Sequence, residues 1–468
     1  MDMNFRLLIN GQLIETKQTM AVLNPATEEV AAHCPRADEK VAEKAIQAAL
    51  SAFPSWAATP LSKRAECINK FADMMANHKQ ELASLLTKEQ GKPVAESLAE
   101  VDYSIAYARY FASLKMEPQT VHEDDACKVE EHHMPLGVVG AIIPWNFPLL
   151  VLNFKLPAAL LAGNTIVIKP SPTTPLATLH LMSLCKDVFP AGVVNVITDQ
   201  NDLGSYLTGH SDIAKISFTG STETGKKVMA NAAGTIKRLT LELGGNDPAI
   251  VLANADIDST AEKIFATSFV NCGQVCIAIK RTYVHSSIHD QLCAKLVELA
   301  NQSIIGDGAE QGTTIGPLQN KQQFEKVKVF LEKAKKDGHI IAGGNVLSGA
   351  GYFIEPTLVT DVRDGTDIVD QEQFGPILPI IKYEDVDDIV NMINQQPYGL
   401  GASIWSRDIA QAQELAQKVS AGTVWINQHF SIAPNIPFAG ARQSGLGVEF
   451  SVAGLLEYTQ IKIINQAK

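Results

Sequence analysis

Gly137-Val138-Val139-Gly140-Ala141-Ile142-Ile143-Pro144-Trp145-Asn146-Phe147-Pro148 moves from a β-branched run into a turn stiffened by two prolines, and the apolar stretch Leu149-Leu150-Val151-Leu152 follows. This passage decides the fold. Residues 136–154 carry no charge and are numerous enough to span a bilayer. Pro144, Asn146, Pro148 and Asn153 interrupt them, however, and Lys155 closes them. Backbone broken in that way is not tolerated against lipid. The segment therefore reads as a strand, a turn and a helix buried in a sheet core.

Downstream the same alternation continues. Strands are expected at 138–143, 165–168, 193–197, 215–218 and 239–241, with helices near 149–162, 175–187, 203–207 and 222–230. Strands alternating with helices at this spacing imply a parallel sheet covered on both faces. A second alternating region runs from Pro248 past Trp405. Upstream, Asn10-Gly11 between two apolar runs predicts a hairpin over 7–14. Three Ala- and Glu-rich helices should follow, starting near Asp38, Leu61 and Pro93, with Gly91 placed as a C-terminal cap. The polar stretch 122–131, with 132–136, reads as a two-stranded flap reaching toward a neighbouring subunit. No internal repeat or low-complexity tract is apparent.

At 468 residues the chain exceeds one ordinary core, and 46% hydrophobic with 19% charged residues is the balance of a soluble globular protein. A net charge of -12 disfavours nucleic acid and anionic membrane, which both need basic surface. Seven scattered cysteines imply free thiols in a reducing compartment, and the first residues lack an export signal, so a cytoplasmic location is expected.

Two residues carry most of the chemistry. Cys276 ends Asn271-Cys272-Gly273-Gln274-Val275-Cys276, where a tight turn precedes a strand-like run. A thiol at such a junction can project into a cleft, and a nearby helix N-terminus would favour its thiolate. A buried, inert cysteine is the commoner role of this residue type. A zinc pair with Cys272 is the other reading, but no second Cys/His pair stands nearby at ligand spacing. Glu242 follows an apolar strand in Leu241-Glu242-Leu243-Gly244-Gly245, where α/β sheets place their ligands. A cap or a surface ion pair would explain it equally well. Thiol and carboxylate together supply a nucleophile and a base.

Phe218-Thr219-Gly220-Ser221-Thr222-Glu223-Thr224-Gly225-Lys226 follows a strand and opens a helix, a place that favours phosphate. It imitates a P-loop, but Lys227 stands where the magnesium-binding Ser or Thr is needed, so a dinucleotide is the better reading. Asn146, on its rigid turn, is either an oxyanion donor or a structural turn residue.

Taken together, Pro144–Pro148, Lys169-Pro170-Ser171, the 218–225 and 241–245 segments, the 269–276 segment, Glu372-Gln373-Phe374-Gly375-Pro376 and the 437–449 segment resemble the aldehyde dehydrogenase superfamily over essentially the whole chain. The resemblance implies an α/β fold with a Rossmann-like cofactor domain (1–118 and 137–245), an α/β catalytic domain (246–442), and an oligomerisation flap with a C-terminal strand (119–136 and 443–468). The last strand would reach into another subunit of a homodimer or homotetramer. It also implies oxidation of a small aldehyde to a carboxylate through a thiohemiacetal and a thioester on Cys276. Asn146 and the Cys276 N–H would hold the oxyanion, Glu242 would activate water, and Lys155 and Glu449 would relay its proton. Trp145, Lys169, Ser171, Gly220, Ser221, Gly225, Leu243, Glu372 and Phe374 would bind NAD. No metal is implied.

Two departures from the family pattern stand out. Pro172 occupies the place where NAD-preferring relatives carry a ribose-binding Glu, which leaves NADP as an alternative cofactor. Val448 replaces a common Arg before Glu449, and Arg442 replaces a common Lys. A coenzyme A-acylating dehydrogenase is the nearest rival activity, and Glu242 counts against it because such relatives usually lack that base. A non-catalytic protein on the same scaffold is the rival of another class, and the presence of Cys276, Glu242 and Asn146 counts against that. The tunnel candidates Phe147, Leu150, Phe154, Val275, Ile277 and His429-Phe430 are mostly apolar. They favour aliphatic or aromatic aldehydes over semialdehyde acids.

Overall fold

Every residue of the strand Val138–Ile142 is buried, as is nearly all of the helix Pro148–Leu161 that follows. The run is uncharged because neither element meets solvent. Residues 4–468 are described by the computed structural model, and the strand lies at the heart of an eight-stranded sheet. The five strands Arg238–Glu242, Ile213–Thr219, Val138–Ile142, Thr165–Lys169 and Val194–Val196 pair in parallel in that order. The hairpin Leu7–Ile9 and Gln12–Ile14 extends one edge antiparallel, with Asn10 and Gly11 both at positive φ as a type I′ turn demands.

A seven-stranded sheet forms the second core. Its order is His339–Ala342, Thr357–Thr360, Ile377–Tyr383, Ile279–His285, Asp247–Val251, Gly401–Trp405 and Thr423–Ile426, parallel except at the first strand. Gln119–Glu123, Cys127–Pro135 and Thr459–Ala467 make the third sheet, the flap. No helix among the described residues is long and apolar enough to cross a membrane.

The structure corrects the sequence reading in two places. Four helices, not three, precede the flap: Glu39–Ala57, Leu61–Asn77, Lys79–Gln90 and Val94–Ser113. The missed break lies at His78, whose φ/ψ of -114°/21° leaves the helical region without any Pro or Gly to announce it. Gly91, by contrast, caps as expected with φ +97°, where a Cβ would come within 2.8 Å of both Pro25 and Pro317. Second, residues 443–456 belong with the first sheet rather than the flap. Gly445–Leu446 pairs with Arg238–Glu242, and the helix Ser451–Leu456 packs on Pro148–Leu161. The C-terminal strand pairs with Cys127–Pro135 in the flap sheet. Its outer edge stays open, and Ile461, Ile463 and Ile464 are exposed, as are Val121 and Met134 on the other two strands of the sheet.

Candidate active site

The strand Arg238–Glu242 of the first sheet ends where Asp247–Val251 of the second begins, and the chemistry-bearing residues collect at that seam. The helix Ile257–Phe269 leads to it. Asn271, Cys272 and Gly273 then adopt φ of 50°, 57° and 72° in succession, which reverses the chain within one turn. Gly273 is required, because a Cβ would lie 2.4 Å from Gly375 O. The two non-glycine residues are strained by about 1 kcal/mol each, so their neighbours must hold them. Asn271 N donates to Glu96 Oε2 at 3.0 Å, and its side-chain amide donates to Asn146 O at 3.0 Å. Gln274 Nε2 donates back to Asn271 O at 2.9 Å.

Cys276 leaves this turn half-buried and leads into Ile279–His285. Two side chains fix the backbone around it. Lys280 Nζ donates to Cys276 O at 2.6 Å, and His429 Nε2 lies 2.9 Å from Ile277 O. Burial pushes the thiol up to about 12, Lys280 opposes that shift, and Glu242, Asp247 and Glu372 reinforce it. Neither sequence neighbour of the turn offers a helix N-terminus: the preceding helix presents its C-terminal end, and a strand follows. A thiol needs a positive field to ionise, and Lys280 supplies it. Lys280→Met should therefore slow iodoacetamide alkylation of Cys276 at pH 8 by about three- to tenfold, measured by mass spectrometry of the labelled peptide. An unchanged rate would remove Lys280 from this role. Cys272 is buried in the second core, and among the described residues neither it nor Cys276 joins a grouping of metal-ligating side chains.

Glu242 is the last residue of its strand; it is buried, and Oε1 has no hydrogen-bond partner. Burial holds its carboxyl well above the usual range, Glu449 adds to the effect, and Lys155 opposes it. Lys155 Nζ and Glu449 Oε1 are 2.5 Å apart, both buried, while Glu449 Oε2 is unpartnered. Two carboxylates and one ammonium thus share a low-dielectric space, and the charge of Glu449 adds to the burial that favours the protonated form of Glu242. Phe450 at φ 65° sets Glu449 in place and packs against Tyr107, Phe154 and Phe438.

Asn146 Nδ2 donates to Gln274 O at 3.0 Å, so the turn of residues 144–148 is tied to the cysteine turn. Beneath it lies a group that sequence reasoning missed. Lys92 Nζ donates to Asn146 O at 2.7 Å and pairs with Glu100 at 2.6 Å, both side chains fully buried. Glu100 Oε1 in turn accepts from Leu149 N at 2.9 Å and Leu150 N at 3.1 Å, capping Pro148–Leu161. Lys92 lies in the connection before the helix Val94–Ser113 and Glu100 within it, places where charged residues usually face water, so no sequence signal marks these two.

Most of the expected cofactor residues lie at strand ends of the first sheet, while Glu372 and Phe374 precede the strand Ile377–Tyr383 of the second. Ser221 Oγ caps Thr222–Ala232 by accepting from Thr224 N, leaving the other first-turn N–H groups for a phosphate. Gly225 admits Leu243, which a Cβ would meet at 2.5 Å, and a Cβ at Gly220 would strike the Phe218 ring at 2.5 Å. Ser171 bonds Thr173 in a local turn, and Lys169 Nζ is 2.7 Å from Asp199 Oδ1. Glu372 Oε1 accepts from Gly245 N at 3.0 Å and lies 3.4 Å from Lys280 Nζ, beside the perpendicular rings of Phe374 and Trp145. A free helix N-terminus, a lysine and a carboxylate at these separate strand ends suit the pyrophosphate and the two riboses of a dinucleotide. Of the tunnel candidates, Val275 and Ile277 are buried, Phe154 joins the Tyr107–Phe450 cluster, and Phe147 covers Lys92. His429 does not face an open tunnel: it is buried against Trp425, 3.6 Å from Asp247.

The sequence model of the aldehyde dehydrogenase family matches residues 13–464. Mouse (Mus musculus) cytosolic aldehyde dehydrogenase 1 is 39% identical, over 98% of this chain and 94% of its own length. The NAD+ complex of an aldehyde dehydrogenase from Bacillus cereus superposes with a TM-score of 0.97 at 38% identity, covering 100% of this chain and 97% of that one. The NAD+ complex of betaine aldehyde dehydrogenase from Staphylococcus aureus gives a TM-score of 0.96 at 33% identity, covering 99% and 95%.

Proposed function

The chain belongs to the aldehyde dehydrogenase family, and from that premise we propose that Cys276, Glu242 and Asn146 are the residues with which it oxidises an aldehyde to its carboxylate. The enzyme is NAD-dependent, as its structural neighbours are. In this reading the Cys276 thiolate attacks the aldehyde carbon, and the resulting oxyanion is held by the Asn146 amide and the Cys276 N–H. Bound NAD supplies the hydride acceptor, in a place made by Trp145, Lys169, Ser171, Gly220, Ser221, Gly225, Leu243, Glu372 and Phe374. Glu242 then takes a proton from the water that hydrolyses the Cys276 thioester, and the Glu449–Lys155 pair carries the proton away.

The observation that carries this assignment is the shared field. The charge of Glu242 acts on the Cys276 thiol, and Asn146 is bonded to the cysteine turn. Arg281 Nε donates to Asn246 O, and the Arg442 guanidinium to Asn394, Tyr398 and Ser420 carbonyls. Neither is free to grip a substrate carboxylate, which supports uncharged aliphatic or aromatic aldehydes over semialdehyde acids. A panel of such aldehydes, followed by NADH absorbance, tests the reading; turnover that strictly required coenzyme A would overturn it.

The reading includes a cytoplasmic homodimer or homotetramer built through the flap, with 1–118 and 137–245 binding the cofactor and 246–442 carrying the thiol. Its support is the open strand edge and the exposed isoleucines of Thr459–Ala467. The double change Ile461→Asp, Ile463→Asp should yield monomers in light scattering, with the fold intact because both side chains face solvent in the single chain. A wild-type monomer, or an unchanged assembly, would refute the flap interface.

A further inference from the structure

Lys169 ends the strand Thr165–Lys169, and its ammonium is already engaged. Nζ lies 2.7 Å from Asp199 Oδ1, with both side chains buried. Asp199 stands just past the end of the neighbouring parallel strand Val194–Val196. Its second oxygen accepts from Leu203 N at 2.9 Å, which stops it turning away. The loop that carries it is latched at both ends, by Ala37 N donating to Thr198 O at 2.8 Å and by the Arg36–Asp202 pair at 2.5 Å.

A buried ion pair is weak evidence of stabilisation, because desolvation offsets most of the attraction. Its position is more informative. In parallel nucleotide-binding sheets, a carboxylate near the end of the strand beside the first βα unit distinguishes a ribose hydroxyl from a 2′-phosphate. Pro172 cannot do this here, and Ser171 and Thr173 offer only hydroxyls. A 2′-phosphate brings up to about two negative charges and needs an uncompensated cation. Lys169 is compensated from behind by Asp199.

We propose that Asp199, acting through Lys169, confines the adenosine-ribose subsite to NAD and replaces the carboxylate absent at position 172. It is a positioning residue: it holds the ammonium for the ribose hydroxyls and places a fixed negative charge behind it. The inference rests on the NAD-dependent reading above.

The test is titration of NAD and NADP into the full-length protein, followed by intrinsic fluorescence, for wild type and Asp199→Asn. Wild type should bind NAD at least about tenfold more tightly than NADP, and the variant should narrow that ratio by about tenfold, chiefly through tighter NADP binding. A purely structural role would weaken both nucleotides alike and leave the ratio unchanged, which overturns the proposal. Competition against wild type needs no variant: 2′,5′-ADP should displace NAD about tenfold less well than ADP, and equal displacement also overturns it. Wild type that oxidises aldehydes with NAD while the ratio stays fixed refutes Asp199 alone. Wild type that binds neither nucleotide refutes the oxidoreductase reading and this inference together.

Discussion

Cys276→Ala loses aldehyde oxidation by on the order of 10⁴-fold or more, because no other group in the seam can form the covalent adduct that makes hydride departure possible. Lys280 and His429 hold the neighbouring carbonyls by hydrogen bonds that do not involve the sulfur. The turn should therefore survive the change, and NAD affinity should stay within about threefold of wild type on that ground. Cys276→Ser is the sharper comparison. The hydroxyl keeps size and polarity but ionises far less readily, so it should also fall by several orders of magnitude. Initial rates of NADH formation with saturating aldehyde, alongside fluorescence titration of NAD, separate lost chemistry from lost binding. An alanine variant with more than about a hundredth of wild-type kcat would assign the nucleophile elsewhere.

The fold was legible to the extent that burial leaves a pattern. Val138–Ile142 and Thr165–Lys169 are buried on both faces and read as continuous apolar runs. The break at His78 left no such mark, because tertiary packing and not a Pro or Gly ends that helix. Residues 443–456 were misgrouped because a two-residue edge strand has no periodicity to read. At the site, Cys276, Glu242 and Asn146 could be picked out since each sits beside turn-forming residues. Their supports could not. Lys92, Glu100 and Asp199 are charged residues in polar stretches, and only tertiary structure shows that they are buried and paired.

Glu242→Gln should leave the first half of the reaction in place and block the second. Mixing enzyme, NAD and aldehyde rapidly should give a burst of about one NADH per active subunit, followed by a steady rate reduced roughly 10²- to 10⁴-fold. The acyl group should then be found on Cys276 by mass spectrometry of acid-quenched samples. The pH profile adds a second reading of the same carboxylate. Its folded pKa lies well above the usual value through burial and the nearby Glu449. It is therefore protonated and inactive as a base at low pH, and wild-type turnover should climb as the pH rises through that raised value. The glutamine variant should lack this limb. The sign of the stability effect follows from the same shift. A carboxyl with a raised folded pKa contributes its full stability below the unfolded value and loses it as pH rises through the folded one. Glutamine, which cannot ionise, should therefore melt at a temperature no lower than wild type above neutral pH. A variant that is folded and binds NAD, yet turns over at the wild-type rate with no burst, would show that water is activated by another group, with Glu449 the next carboxylate in line.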